Sequence, residues 1–337
     1  MSRPLTLSLL ALVLAILLSV AVGSVYIPPT DLGRIVLAWL RRAPLSEPLQ
    51  TFAFILLAIR LPRTALMALT GAALGGSGAA YQGLFRNPLA DPYLIGVASG
   101  AGLGAVLAMS LRWPYTFWGL MTVPLAAFLA ALLTVFLVYT LARVGRTVPT
   151  TNLILAGVAC SSFATALTSF LMLRSQGEVR RALAWLLGGA SLVSWQAVLT
   201  LIPYLTLSLG ALVLGGHALN LLQFGDEQAQ QLGLPVERVK ALVLAAASLA
   251  TAAAVAFSGI IGFIGLIVPH LMRLWWGPDY RRLIPLSILG GGSALLVADV
   301  LARVVLAPQE LPVGIVTALA GAPFFLWVLR RAKQYSW

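Results

Sequence analysis

The chain has 337 residues, of which 60% are hydrophobic and only 9% are charged. A soluble domain carries about 25% charged residues, so the polar surface of a globular protein is missing here. A membrane-spanning helix needs about 20 apolar residues, which leaves room for about ten to twelve spans and little for a soluble domain. The composition predicts an all-α integral membrane protein and excludes fibrous and disordered classes.

The net charge of +12 does not indicate a nucleic-acid partner. The basic residues are scattered over short loops and form no stripe with interleaved aromatic residues, so lipid headgroups and acidic proteins are the better counterparts. The single cysteine, Cys160, lies in an apolar run and is interpreted as a packing residue. The two histidines, His217 and His270, stand alone, and no metal site is predicted.

Apolar runs follow one another along the whole chain. The first carries the small residues of a signal-peptide cleavage site near its end, but the many later runs favour an uncleaved first span. A polar, proline-bearing stretch at 28–50, with a short amphipathic piece at 32–40, separates it from the second run. The predicted spans are residues 5–25, 64–84, 93–111, 117–142, 152–173, 195–221, 241–261, 262–275, 283–306 and 311–329.

An even number of spans returns both termini to one side of the membrane. Basic residues near the later connections and at the C-terminal end indicate that this side is the cytoplasm. The count itself is nearly balanced, with twelve basic residues on that side and ten on the other. The ten outer residues indicate contact either with headgroups or with an acidic protein.

Glycines spaced four residues apart predict close helix packing. Gly71 and Gly75 form one GxxxG motif, and Gly96, Gly100 and Gly104 form two in succession. Such spacing places small residues on one stripe of a helix, where a neighbouring helix can approach closely.

Motifs for energy conversion and catalysis are missing from the sequence. An ATP-binding P-loop requires a lysine in a glycine-rich motif, and neither Lys240 nor Lys333 lies in one. The chain has no HExxH or GxSxG motif, so it is not predicted to be an enzyme. Asp299 is the main acidic residue inside a span, and an ion pair with Arg303 one turn away is expected. An autonomous ion-coupled carrier is therefore the alternative rather than the leading hypothesis.

The most polar stretch of the chain is 225–235, with the sequence GDEQAQQLGLP. Asp226 and Glu227 favour the start of a short helix, and Gly233 with Pro235 favours its end. A short helix at the membrane face is typical of a docking element for a soluble protein, and a solvated loop is the alternative.

Four segments together resemble the FecCD-type permeases of bacterial ABC importers for iron siderophores, haem and cobalamin. They are residues 60–92, 226–235, 259–273 and 298–323, and the similarity extends in order from about residue 5 to residue 331. The resemblance implies a single permease domain over 1–337 with ten spans and both termini in the cytoplasm of a bacterial inner membrane. It also implies a homodimer in membrane lipid, two separate ATPase subunits that bind ATP and magnesium, and a periplasmic or lipid-anchored substrate-binding protein. No cofactor is implied for this chain.

The resemblance also assigns roles to individual residues. A cytoplasmic coupling segment at about 223–240 would contact the ATPase through Asp226, Glu227, Gln228, Ala229, Gln231, Leu232 and Gly233. Outward-facing arginines that would pair with the binding protein are Arg60, Arg63 and Arg303. The cytoplasmic gate would comprise Asn87, Leu89, Thr150 and Thr151. An ordinary Asn-Pro turn and a helix N-cap remain the alternative for those four positions. The substrate does not follow from the resemblance.

Overall fold

The computed structural model describes residues 3–23, 25, 27–41, 43–111, 117–174, 177–189 and 193–334. Regular structure in this part of the chain is helical, apart from one isolated bridge between Val144 and Thr147. A π-helical stretch, Ile55–Arg60, joins the helices Glu47–Phe54 and Leu61–Leu84. The helices are α1 (Arg3–Ala21), α2 (Pro29–Arg41), α3 (Glu47–Phe54), α4 (Leu61–Leu84), α5 (Val97–Ser110), α6 (Phe117–Ala142), α7 (Thr150–Arg174), α8 (Val179–Leu186), α9 (Trp195–Leu214), α10 (Gly216–Leu222), α11 (Asp226–Gln231), α12 (Val236–Ser258), α13 (Ile264–Trp276), α14 (Tyr280–Val304) and α15 (Val313–Gln334).

The predicted all-helical membrane fold is confirmed. Within the described residues, seven helical stretches are long and apolar enough to cross a membrane. They are α1, the continuous helix Glu47–Leu84, most of α6, and α7, α9, α12 and α14. The expected total of ten needs the shorter helices α5, α13 and α15 as well, so that number stays a prediction.

Three boundaries differ from the predicted ones where proline or glycine alters the backbone. The second span continues back to Glu47, because the π-helical turn accommodates Pro62, which has no N–H to donate. The third begins at Val97, after Gly96 with φ of +85°, so residues 85–96 cross from α4 to α5 without a helix. The sixth divides at Gly215 into α9 and α10.

Helix α4 is the centre of the bundle and packs against α9, α12, α13 and α14. Its glycines lie in direct backbone contact with two of these helices. A Cβ atom on Gly71 would lie 2.2 Å from the carbonyl oxygen of Gly291, and one on Gly75 would lie 2.1 Å from that of Ser287. On a third glycine, Gly78, a Cβ would lie 1.9 Å from the carbonyl oxygen of Gly265. No side chain fits at any of these positions.

The second glycine stripe lies between α5 and its neighbours. A Cβ on Gly104 would lie 2.2 Å from the carbonyl oxygen of Ala126, and one on Gly100 would lie 2.3 Å from Oγ1 of Thr134, both in α6. Gly96 faces Thr134 and Ser161, where a Cβ would be 2.9 Å from the Thr134 methyl carbon. Both predicted GxxxG stripes therefore lie at helix contacts.

Candidate functional site

The segment α10–α11 has one packed face and one bare face. Its packed face consists of Leu219, Leu222 and Ala229, whose side chains are buried against the rest of the protein. The segment also carries exposed polar side chains and two exposed apolar ones, Phe224 at 64% and Leu232 at 62%. The exposed polar residues of α11 itself are Glu227, Gln228, Gln230 and Gln231. Such a surface is available to a soluble partner while the packed face is fixed to the spans.

Helix α11 ends as the sequence predicts. The N–H of Leu234 donates to the carbonyl of Ala229 at 3.0 Å, and the N–H of Gly233 donates to that of Gln230 at 2.9 Å. These two bonds form a Schellman motif in which Gly233 adopts the required positive φ of +85°. The segment is therefore an ordered element with a defined end.

An ion-pair network ties α11 to the beginning of α12 and to the chain just before α7. Lys240, whose side chain is 6% exposed, pairs with Asp226 and lies 3.5 Å from Oε1 of Glu237. The other oxygen of Glu237 accepts a hydrogen bond of 3.0 Å from the backbone N–H of Val148. Thr150 and Thr151 follow two and three residues later, at the start of α7.

Helix α10 is tied to α14 and α4. Asn220 accepts a hydrogen bond of 2.9 Å from the N–H of Tyr280 and donates one of 2.6 Å to Asp279. This amide and the N–H of Arg281 hold the pKa of Asp279 below its usual value, because they stabilise the ionised carboxylate. Gln223 donates through Nε2 to the carbonyls of Leu219 at 3.0 Å and Gly83 at 2.9 Å.

The residues assigned to the gate lie next to these anchors. Asn87 is exposed, three residues beyond the end of α4, and its Oδ1 accepts a 2.9 Å hydrogen bond from the N–H of Leu89. This bond closes an Asx turn around Pro88. Thr150 is half-buried and Thr151 exposed. The structure therefore contains the Asn-Pro turn that was the alternative for Asn87 and Leu89. The gate role of all four residues stays a prediction.

The three arginines predicted to face outward lie at the opposite ends of the helices, and two are buried. Arg60 is 4% exposed and donates to the carbonyls of Val20 at 3.1 Å, Ala21 at 3.2 Å and Val25. Arg303 is 3% exposed and donates to Val22 at 3.0 Å and to both the carbonyl and the hydroxyl of Ser19. These guanidinium groups satisfy carbonyls that the end of α1 would otherwise leave without partners. Arg60 and Arg303 are therefore buried rather than presented at the surface of the chain, and their pairing with a binding protein stays a prediction.

Asp299 lies between two arginines and is fully buried. The expected pair with Arg303 is present, with Nε 3.0 Å from Oδ2 of Asp299. Arg63 lies on the other side, with its Nε 2.9 Å from Oδ1, and also pairs with Glu310. Sequence reasoning missed the contacts of Arg63, because its acidic partners are 236 and 247 residues away and no local spacing links them.

Comparison with known proteins decides the family. The model of the FecCD transport family matches residues 11–331. The chain belongs to the FecCD transport family. This FecCD permease is 40% identical over 324 residues to an uncharacterised ABC transporter permease, YvrB of Bacillus subtilis, and the match covers 96% of this chain and 92% of that one.

Two relatives of this FecCD permease have named cargoes. The cobalamin import permease BtuC of Halobacterium salinarum is 47% identical, over 81% of this chain and 72% of that one. The hemin transport permease HmuU of Yersinia pestis is 42% identical, over 82% and 83%. A solved structure described as an inward-facing, metal-chelate type ABC transporter superposes with a TM-score of 0.81 at 30% identity, covering 97% of this chain and 98% of that one. The fold of this FecCD permease is that of an ABC importer permease.

Proposed function

We propose that this chain is the membrane-spanning subunit of an ATP-driven importer for a bulky metal chelate: a ferric siderophore, haem or a corrinoid. Two copies form the translocation path at their two-fold axis. Two ATPase subunits dock at α11, and a substrate-binding protein docks at the opposite face. The observation that carries the proposal is the α10–α11 segment, which is fixed to three spans on one face and bare on the other.

The bare face of α11 suits a groove in a soluble protein. Two exposed apolar residues, Phe224 before the helix and Leu232 after it, flank its polar side chains, and a mixture of polar and apolar surface is typical of a protein interface. Nucleotide and magnesium then belong to the partner, and the contribution of this chain is mechanical. In this arrangement α11 lies on the cytoplasmic side of a bacterial inner membrane, as do both termini.

On the opposite face, Arg63 is the best placed of the three arginines to meet an acidic partner. Its side chain is 16% exposed, against 4% for Arg303, and its outer partner Glu310 is 36% exposed. An acidic lobe of the binding protein can compete with Glu310 for this guanidinium, while Arg60 and Arg303 hold α1 in place beneath it.

Uptake into proteoliposomes tests the proposal. Vesicles that contain the permease and its ATPase should take up chelate from the binding protein only when ATP is present on the α11 side. The same vesicles without the ATPase should take up none under a proton or sodium gradient. Asp299 agrees with this expectation, because a carboxylate already paired with Arg63 and Arg303 is a poor site for a coupling ion. Gradient-driven uptake by the permease alone would establish the ion-coupled alternative instead.

A double substitution tests the docking face. Glu227→Lys with Gln231→Glu changes two exposed positions of α11, and charge reversal at a contact between proteins commonly costs a few kcal/mol. We expect ATPase assembly or uptake to fall by about tenfold or more, with an unchanged melting temperature. Arg146→Glu, a charge reversal at an exposed position in the α6–α7 connection, is the control. Wild-type assembly and uptake in the double variant would show that this face does not bind the ATPase.

A further inference from the structure

The end of α4 has an unusual residue at the position where a helix normally turns into a left-handed conformation. The N–H of Asn87 donates to the carbonyl of Gln82 at 3.1 Å, and the N–H of Arg86 donates to that of Gly83 at 3.3 Å. This is a Schellman motif, and its left-handed residue is Arg86, with φ of +49°. Glycine is favoured there because a Cβ atom is strained at positive φ. The local backbone therefore favours glycine, and the arginine needs another explanation.

The position of the Arg86 side chain supplies that explanation, because its guanidinium lies beside Gly225, the residue before α11. Nη1 of Arg86 would lie 3.4 Å from a Cβ atom built on Gly225, the residue immediately before α11. The side chain is exposed overall, so burial in the core does not account for it. A strained residue that is kept in place for a contact with a neighbouring element is a common feature of functional sites.

A second contact joins the same two elements. Gln223, the first residue beyond α10, donates to the carbonyl of Gly83, which also accepts the N–H of Arg86. The turn that ends α4 is therefore bonded from the coupling side by one side-chain amide, and the Arg86 guanidinium lies beside Gly225. Asn87 and Leu89 follow this turn directly.

We infer that Arg86 and Gln223 are positioning residues that transmit the movement of the coupling segment to the 85–96 segment. When α11 moves with the ATPase, the contacts at Gly225 and Gly83 move the end of α4, and with it Asn87 and Leu89. This inference rests on the proposed function and deepens it, since it names the contacts through which the segment acts.

Arg86→Gly separates this role from a structural one. Glycine relieves the strain at positive φ, so the melting temperature should stay the same or rise. The contact with Gly225 is lost, so the amount of chelate taken up per ATP hydrolysed should fall by about fivefold or more, while ATP hydrolysis by the assembled complex continues. Gln223→Leu removes the amide at similar volume and should act in the same direction. The matched control for Arg86→Gly is Arg146→Gly, at an exposed arginine in the α6–α7 connection.

A label at the gate gives a second readout. In a Cys160→Ser background, a spin label on Leu89→Cys should report a nucleotide-dependent distance change across the dimer, and Arg86→Gly should abolish it. Full uptake per ATP together with an unchanged label response in both variants would overturn this inference alone. A lower melting temperature for Arg86→Gly would also overturn it, because the position would then need arginine for folding. Wild-type uptake that is independent of ATP would overturn the proposed function as well.

Discussion

Asp299→Asn is expected to destabilise the protein strongly. The carboxylate is fully buried between Arg63 and Arg303, whose side chains are 16% and 4% exposed. Asparagine keeps the volume but leaves two guanidinium groups without their shared negative charge, and removing one partner of a buried pair costs about 3–5 kcal/mol. The measurement is the apparent melting temperature of the purified protein in detergent, followed by loss of the monodisperse peak after heating.

A matched variant shows whether burial is the cause. Glu310→Gln removes the outer partner of Arg63, which is 36% exposed, and should cost only about 0–1 kcal/mol. Adding Arg63→Met to Asp299→Asn should recover part of the lost stability, because one uncompensated charge is then removed while Arg303 still caps α1. If Asp299→Asn has the melting temperature of the wild type while Glu310→Gln melts lower, the pair of Arg63 with Glu310 contributes more stability. The assignment of the main contribution to buried Asp299 would then be wrong.

Gly78→Ala is expected to have an effect of similar size for a steric reason. The new Cβ would lie 1.9 Å from the carbonyl oxygen of Gly265, and because the obstacle is backbone, α4 and α13 must move apart. Added volume in a packed core costs about 1–3 kcal/mol and more where nothing can yield, so we expect a cost above about 3 kcal/mol and a low yield of folded protein.

Gly210→Ala is the control for this prediction. Gly210 lies in α9 with open space around the position of a Cβ atom, so alanine should be neutral or stabilise the helix by about 0.5–1 kcal/mol. Yield and melting temperature are compared for the two variants prepared in parallel. Similar values would mean that the contact between α4 and α13 is looser than the structure describes.

Local sequence patterns predicted the features that depend on neighbouring residues. The GxxxG spacing at Gly71 and Gly75 predicted a helix contact, Gly233 predicted the end of α11, and the spacing of Asp299 and Arg303 predicted their ion pair. Each of these follows from helix geometry within a few residues. The all-helical membrane fold followed from composition alone.

Features that depend on distant parts of the chain could not be predicted in this way. The partners of Arg60 are carbonyls at the end of α1, 35 to 40 residues away, and a carbonyl has no sequence signature. Hydropathy indicates which residues lie in an apolar environment but not whether their backbone is helical. It therefore placed the start of the third span at residue 93 rather than at Val97. Helix α8 was missed because its eight residues are too few for a span.

The capping of α1 by two arginines also constrains the order in which the chain can assemble during synthesis. Arg303 bonds to Val22 across 281 residues, and a ribosome adds about 5–20 residues per second. The first helix is therefore in the bilayer for on the order of tens of seconds before Arg303 is synthesised and can bond to its end. Its mean hydropathy of 2.5 over 19 residues allows it to remain there alone, since a helix this apolar needs no protein partner to stay in lipid. Assembly of the subunit is then complete only after the fourteenth helix has entered the membrane and locked the first.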